Sequence, residues 1–155
     1  MWYNVANNIF WRLIMAIKMR VLYASNKGKI AEMAQMIKTA YDLPVNAVDK
    51  IPTAYSCNNE RVVILMFSLK GEPEDQVRLF CQELTRARAQ NVAIVMDGPE
   101  SAAQYMKDIL VKAGTNVIDE IHYVKTSFLS FLDKVKPEEK ADLLAFVERV
   151  VANLQ

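Results

Sequence analysis

Glycine is scarce in this chain, with four in 155 residues. A Rossmann dinucleotide loop needs G-x-G-x-x-G after its first strand, and only Gly28 stands there, so that fold is excluded. A nucleotide P-loop is excluded too, because Gly28-Lys29-Ile30 lacks the first glycine and the hydroxyl that would hold magnesium. Cysteine is rarer still: Cys57 and Cys81 stand far apart, outside any CxxC and without a neighbouring histidine. They read as reduced, packed thiols of a cytoplasmic protein, with neither a disulfide nor a metal role. The single histidine, His122, lies in an apolar run and reads as structural. No H-E-x-x-H helix and no G-x-S-x-G elbow is present. Excess charge of one sign is also missing, since 19 basic against 18 acidic side chains leave a formal net charge of +1. That excludes a strongly basic nucleic-acid binder and an acidic disordered tail.

What the chain does have is apolar content, 52% of its residues, and length enough for one domain with a substantial core. Residues 1–18 hold both tryptophans, with Trp2, Val5, Ile9, Leu13 and Ile17 among many apolar neighbours. Arg12 interrupts them, and the segment is short for a membrane span. It also lacks the basic start and cleavage site of a signal peptide. Three readings stand: a helix packed on the body, a homodimer contact, or an upstream extension with Met15 or Met19 as the functional start. The extension is favoured, which gives residues 1–18 as extension and 19–155 as the domain.

Met19 to Tyr41 organises the rest. Val21, Leu22 and Tyr23 form a β-type run that breaks at Ser25-Asn26-Lys27-Gly28. Then Ile30, Met33, Ala34, Ile37 and Tyr41 recur at helical spacing. A strand–loop–helix unit of this kind aims unpaired amides and the positive end of a helix dipole at whatever lies above the loop, a seat for phosphate. Ser25 offers a hydroxyl, Lys27 and Lys29 offer charge, and Gly28 allows φ > 0 and a close backbone approach. A plain turn is the competing reading.

Beyond Pro44, Val45–Ile51 is expected as a second strand, followed by polar loop to Glu60. Arg61–Leu69 should be a central strand buried on both faces. Lys70–Pro73 turns into a helix burying Val77, Phe80, Cys81 and Leu84. Asn91–Met96 gives another central strand, and Ser101–Ala113 a helix capped by Gly114. Val117–Val124 should be the fifth strand. Thr126–Val135 is expected to include a short helix with Phe128, Phe131, Leu132 and Val135 on one side. Pro137 opens the last helix, which buries Leu143, Phe146, Val147, Val150 and Leu154. Alternation of strands and helices gives an α/β fold with a five-stranded, parallel, doubly wound sheet. Ligands bind such sheets beyond the carboxyl ends of the strands, which selects three loops: Ser25–Lys29, Ser68–Pro73 and Asp97–Ser101.

A response-regulator receiver needs acids after the first and third strands, where Ala24-Ser25 and Phe67-Ser68 stand instead. The pattern that remains resembles a short-chain flavodoxin-like protein over Met19 to Leu154. In that family the first loop reads roughly (S/T)-x-(S/T)-G-x-(S/T) and wraps the phosphate of FMN. Ser25, Asn26, Lys27, Gly28, Lys29 and Ile30 match its positions, with the leading hydroxyl and the glycine kept and two hydroxyls replaced. Phe67-Ser68-Leu69-Lys70-Gly71 is similar to a flavin-flanking loop.

The resemblance implies a flavodoxin-like three-layer sandwich with strand order 2-1-3-4-5. It implies FMN as cofactor, its phosphate held at Ser25–Ile30. The ring would be held by Ser68, Leu69, Lys70 and Gly71 and by Asp97, Gly98 and Pro99. Neither of these later loops carries an aromatic, so ring contacts are expected to be largely backbone. The implied function is electron transfer to a redox partner protein, or an FMN-dependent oxidoreductase of flavoprotein-reductase type. The alternative is a flavin-free module of the same fold that serves in binding or assembly, using residues 1–18 and Phe128–Phe131 as contact surfaces.

Overall fold

The computed structural model describes residues 17–129 and 133–155. Most of the apolar N-terminal segment, and Phe131 and Leu132, lie outside the described residues. Strand β1 (Met19–Ala24) is followed by helix α1 (Gly28–Ala40), strands β2 (Val48–Lys50) and β3 (Glu60–Ser68), and helix α2 (Asp75–Gln82). Then come β4 (Ala89–Asp97), α3 (Glu100–Ala113), two short strands β5 (Asn116–Val117) and β6 (His122–Tyr123), and α4 (Pro137–Ala152). The pairing order is β2-β1-β3-β4-β5, with β6 also on β4, and every ladder is parallel. This is the expected doubly wound order.

Alternation along the strands divides the core in two. Val21, Ile64, Met66 and Val95 face α1 and α4, meeting Ile30, Met33, Ile37, Phe146 and Val147. Leu22, Leu65, Phe67 and Ile94 face α2 and α3, meeting Val77, Cys81, Met106 and Leu110. Both central strands are therefore covered on both faces, as continuous apolar runs require. The switch point falls between β1 and β3, from which α1 and α2 leave toward opposite faces. Gly114 ends α3 at φ 106°, a left-handed position where a side chain would be strained.

Four expectations need correction. The second strand begins late, because Pro44 at φ −64° opens a 3₁₀ turn over Val45–Ala47 whose Ala47 N–H donates to the Pro44 carbonyl. Val45 is 85% exposed, so it belongs to no strand face. The fifth strand is broken: Val117 pairs with Val92 and His122 with Val95, so five steps on one strand cover three on the other. The excess bulges outward at Asp119 and Glu120, drawn to Lys107 (3.1 Å) and Arg149 (2.8 Å). The described residues between Thr126 and Val135 are not helical, and Phe128 is 92% exposed rather than packed. Leu84, expected on the second helix, is buried just beyond its end.

Ile17 and Lys18, assigned to the extension, already contact the body. Ile17 packs on the core, and the Lys18 carbonyl accepts the Arg61 N–H at 2.8 Å. His122 stacks on Phe146, with ring centroids 5.1 Å apart at 19°. Burial pushes its pKa below the ordinary value, against the pull of Asp142 and Glu120. No helix among the described residues is long and apolar enough to cross a membrane.

Candidate functional site

The carboxyl ends of β1, β3 and β4 bring the three expected loops together. Ala24 ends β1, Lys27 is extended at φ −86°, and α1 begins at Gly28. The first helical hydrogen bonds are those of Ile30 and Ala31 to the Lys27 carbonyl, which leaves the Gly28 and Lys29 amides ahead of the ladder. No side chain caps this end and no acid stands in its first turn. The other three helices carry Asp75, Glu100, or Glu138 with Glu139 there. Among the described α-helices, α1 alone has no acid within its own first turn; the nearby carboxylates, Asp133 and Glu139, come from outside the helix and are paired with Lys29.

Behind it runs a chain of hydroxyls. Ser25 Oγ accepts the Lys27 N–H at 3.0 Å and lies 2.7 Å from Ser68 Oγ. Ser68 donates its only proton to Asp97 Oδ2 at 2.9 Å, so Ser25 must be the donor to Ser68. Thr126 donates to the same carboxylate oxygen at 2.7 Å. Loops after β1, β3, β4 and β6 are thereby linked through Asp97. The third loop also touches the second directly. The Leu69 N–H donates to the Asp97 carbonyl at 3.0 Å, and a Cβ on Gly98 would stand 2.1 Å from the Leu69 carbonyl oxygen. Only glycine fits that approach.

Two clefts flank this junction. One, of about 490 Å³, is walled by Lys27, by Ser68–Lys70, by Asp97–Pro99, and by Thr126 and Phe128. The other, of about 450 Å³, lies toward β2 and includes Ser25, Asn26, Lys50, Ser68 and Leu69. The Asn26 side-chain oxygen accepts from Lys50 Nζ at 2.7 Å.

The remaining expected positions fall differently. Lys29 is 6% exposed, with its ammonium 2.8 Å from Glu139 and 3.3 Å from Asp133, so the charge expected to face a phosphate is held against α4 instead. Burial alone would lower the Lys29 pKa, but the hydrogen bonds to Glu139 and Asp133 outweigh it and the net shift is upward. Ile30 is fully buried in the core and its amide is taken by Lys27, which leaves it nothing to offer a ligand. Gly28 does not use the positive φ open to it; it takes an ordinary conformation, and a Cβ there would meet nothing within 4 Å. Gly71 sits on an exposed turn and lines neither cleft.

Thr126 and Phe128 also line the larger cleft, although the sequence placed neither in the three ligand-binding loops. The rule that selected three loops applies equally to the end of the fifth strand, and Thr126 follows that end by three residues.

No family model and no curated protein matches the chain. Among solved structures it is similar to a short-chain flavodoxin associated with a non-canonical PDU bacterial microcompartment. The likeness covers 88% of this chain and 97% of that one, at 16% identity and a TM-score of 0.63. With the 2-1-3-4-5 parallel order, this makes the fold flavodoxin-like.

Proposed function

We propose that this chain is a small FMN-binding protein acting in electron transfer or as a flavoprotein reductase. The reading is carried by the start of α1, without a side-chain cap or an acid in its own first turn and beside Lys27, opening next to a cleft built from the second and third loops. The Gly28 and Lys29 amides, with Lys27, would hold the phosphate. The backbone of Leu69–Lys70 and Gly98–Pro99 would bound the ring. Bound FMN supplies the electron-carrying chemistry, while the chain supplies binding, access and local charge. Two free, buried thiols support a cytoplasmic setting. The flavodoxin-like neighbour supports a flavin as ligand. The direct contact of Leu69 with Asp97 and Gly98 favours a second reading, in which the fold serves as a flavin-free binding module.

A visible absorption spectrum of freshly purified protein, before and after adding FMN, separates the two readings. Calorimetry with FMN and riboflavin then tests the phosphate seat. FMN should bind at least about tenfold more tightly, the worth of one charge-assisted hydrogen bond. Equal affinity for both ligands, or no binding of either by folded protein, would overturn the proposal.

A further inference from the structure

Resting on the FMN reading, we infer that Phe128 is the face on which the flavin ring stacks, a role that no residue of the second or third loop can fill. Those loops carry no aromatic side chain, and they also leave no slot between them. Leu69 is hydrogen-bonded to Asp97, and the Leu69 carbonyl fills the place of a Gly98 side chain. A planar ring cannot pass between backbones in such contact. It has to lie outside them, in one of the two flanking clefts, and of these only the cleft of about 490 Å³ has an aromatic side chain, Phe128, in its lining. That volume lies within the range of small-molecule sites.

Phe128 is also held in a way an incidental surface residue is not. Thr126, two positions before it, donates to Asp97 at 2.7 Å. The Ser127 N–H donates to Asp133, which is itself held by Lys29. The Leu129 N–H donates to Ser127 Oγ at 3.2 Å. The backbone around Phe128 is therefore pinned both to the sheet end and to the first turn of α1. Its ring nevertheless stays 92% exposed at the mouth of the cleft. An apolar ring fixed beside an open cleft and packed against nothing is placed to receive a second flat apolar surface. Lys27 lines the same cleft, so one ligand can meet Phe128 with its ring and Lys27 with its phosphate.

The test uses the full chain and its Phe128→Ala, Phe128→Trp and Lys27→Ala variants, titrated with FMN and with riboflavin by calorimetry and by flavin fluorescence. Phe128→Ala should weaken both ligands by the same factor, about tenfold, because the ring is common to them. Phe128→Trp should restore affinity and quench flavin emission more deeply than the wild type does. Lys27→Ala should weaken FMN alone. Melting curves should be unchanged by either Phe128 substitution, since its side chain supports no core. Phe128→Ala binding both ligands within twofold of wild type would overturn the inference and leave the FMN reading standing. Loss confined to FMN would also overturn it, by placing Phe128 at the phosphate end. Failure of the wild type to bind either ligand would remove the FMN reading and this inference together.

Discussion

Replacing Lys29 by methionine keeps an unbranched apolar stem of nearly the same length and removes the cation that joins the first turns of α1 and α4. Glu139 and Asp133, at 2.8 and 3.3 Å from the ammonium, then face each other without a positive partner. Breaking a buried ion pair from one side costs roughly 3–5 kcal/mol. The Glu139 side chain keeps 27% of its surface in solvent and can rehydrate, which lowers the expectation to about 2–3 kcal/mol. At about 2–4 °C per kcal/mol for a chain of this size, the melting temperature should fall by about 5–10 °C at pH 7.

Acid separates charge from packing. The pKa of Glu139 is lowered chiefly by its hydrogen bond from Lys29. For Asp133, burial pushes upward, but the Ser127 amide and Lys29 prevail and the net shift is downward. Depressed carboxylates bind fewer protons folded than unfolded, so their contribution is complete above the unfolded values near about 4 and is lost as pH falls through the folded ones. The raised Lys29 pKa acts at the other end: its contribution is complete below about 10.4 and fades only as pH rises through the folded value. The stability gap between wild type and variant should therefore be widest near neutrality and shrink between pH 5 and pH 3. Thermal melts followed by circular dichroism at pH 7, 5, 4 and 3 measure it. A melting temperature within 1 °C of wild type at pH 7, or a gap that persists undiminished to pH 3, would refute the reasoning.

Three further outcomes are expected. Gly28→Ala should stabilise the free protein by about 0.4–1 kcal/mol, since the backbone there is ordinary and a Cβ meets nothing. The bulkier Gly28→Val should weaken FMN without unfolding the chain, and melts paired with calorimetry check both. Asp97→Asn removes an anion from the cleft wall while keeping an acceptor for Ser68 or Thr126. The reduction potential of bound FMN should rise by tens of millivolts, on the order of one screened charge at close range, as read by dye-coupled titration. Cys57 should react with a thiol reagent before Cys81: burial raises both, but Arg20 opposes the rise at Cys57, whereas Cys81 is pushed up to about 12. Mass mapping of partially labelled protein that finds Cys81 modified first would contradict this order.

The parts of the fold legible in the sequence are those whose neighbours are set by local periodicity. Ile30, Met33, Ala34 and Ile37 mark α1, and the unbroken Val62–Phe67 run marks a strand buried on both faces. Parts governed by distant partners were not legible. The fifth strand bulges at Asp119 and Glu120, whose partners Lys107 and Arg149 lie on two different helices. The same holds at the site. Lys29 reads as a loop cation until a carboxylate 104 residues away, Asp133, is placed beside it. Phe128 reads as one position of a helical stripe because Phe131, Leu132 and Val135 complete the spacing. The three expected loops do converge, as strand order alone requires. The Ser25–Ser68–Asp97 chain joining them depends on the register of β1, β3 and β4, in which Ala24 pairs with Phe67 and Ser68 with Asp97.

The broken fifth strand has a consequence for how copies of this chain meet. An open sheet presents two margins of unpaired amides and carbonyls, and a long, flat margin recruits other strands. Here one margin is the three-residue β2, directly after a 3₁₀ turn. The other is two dipeptides separated by an outward loop bearing Asp119 and Glu120. Neither offers enough consecutive backbone to template a further strand, and the second is guarded by charge. Among the described residues, self-association by continuing the sheet is closed off at both ends. Within the described residues, that leaves the helix faces and the loops around the clefts as surfaces for assembly.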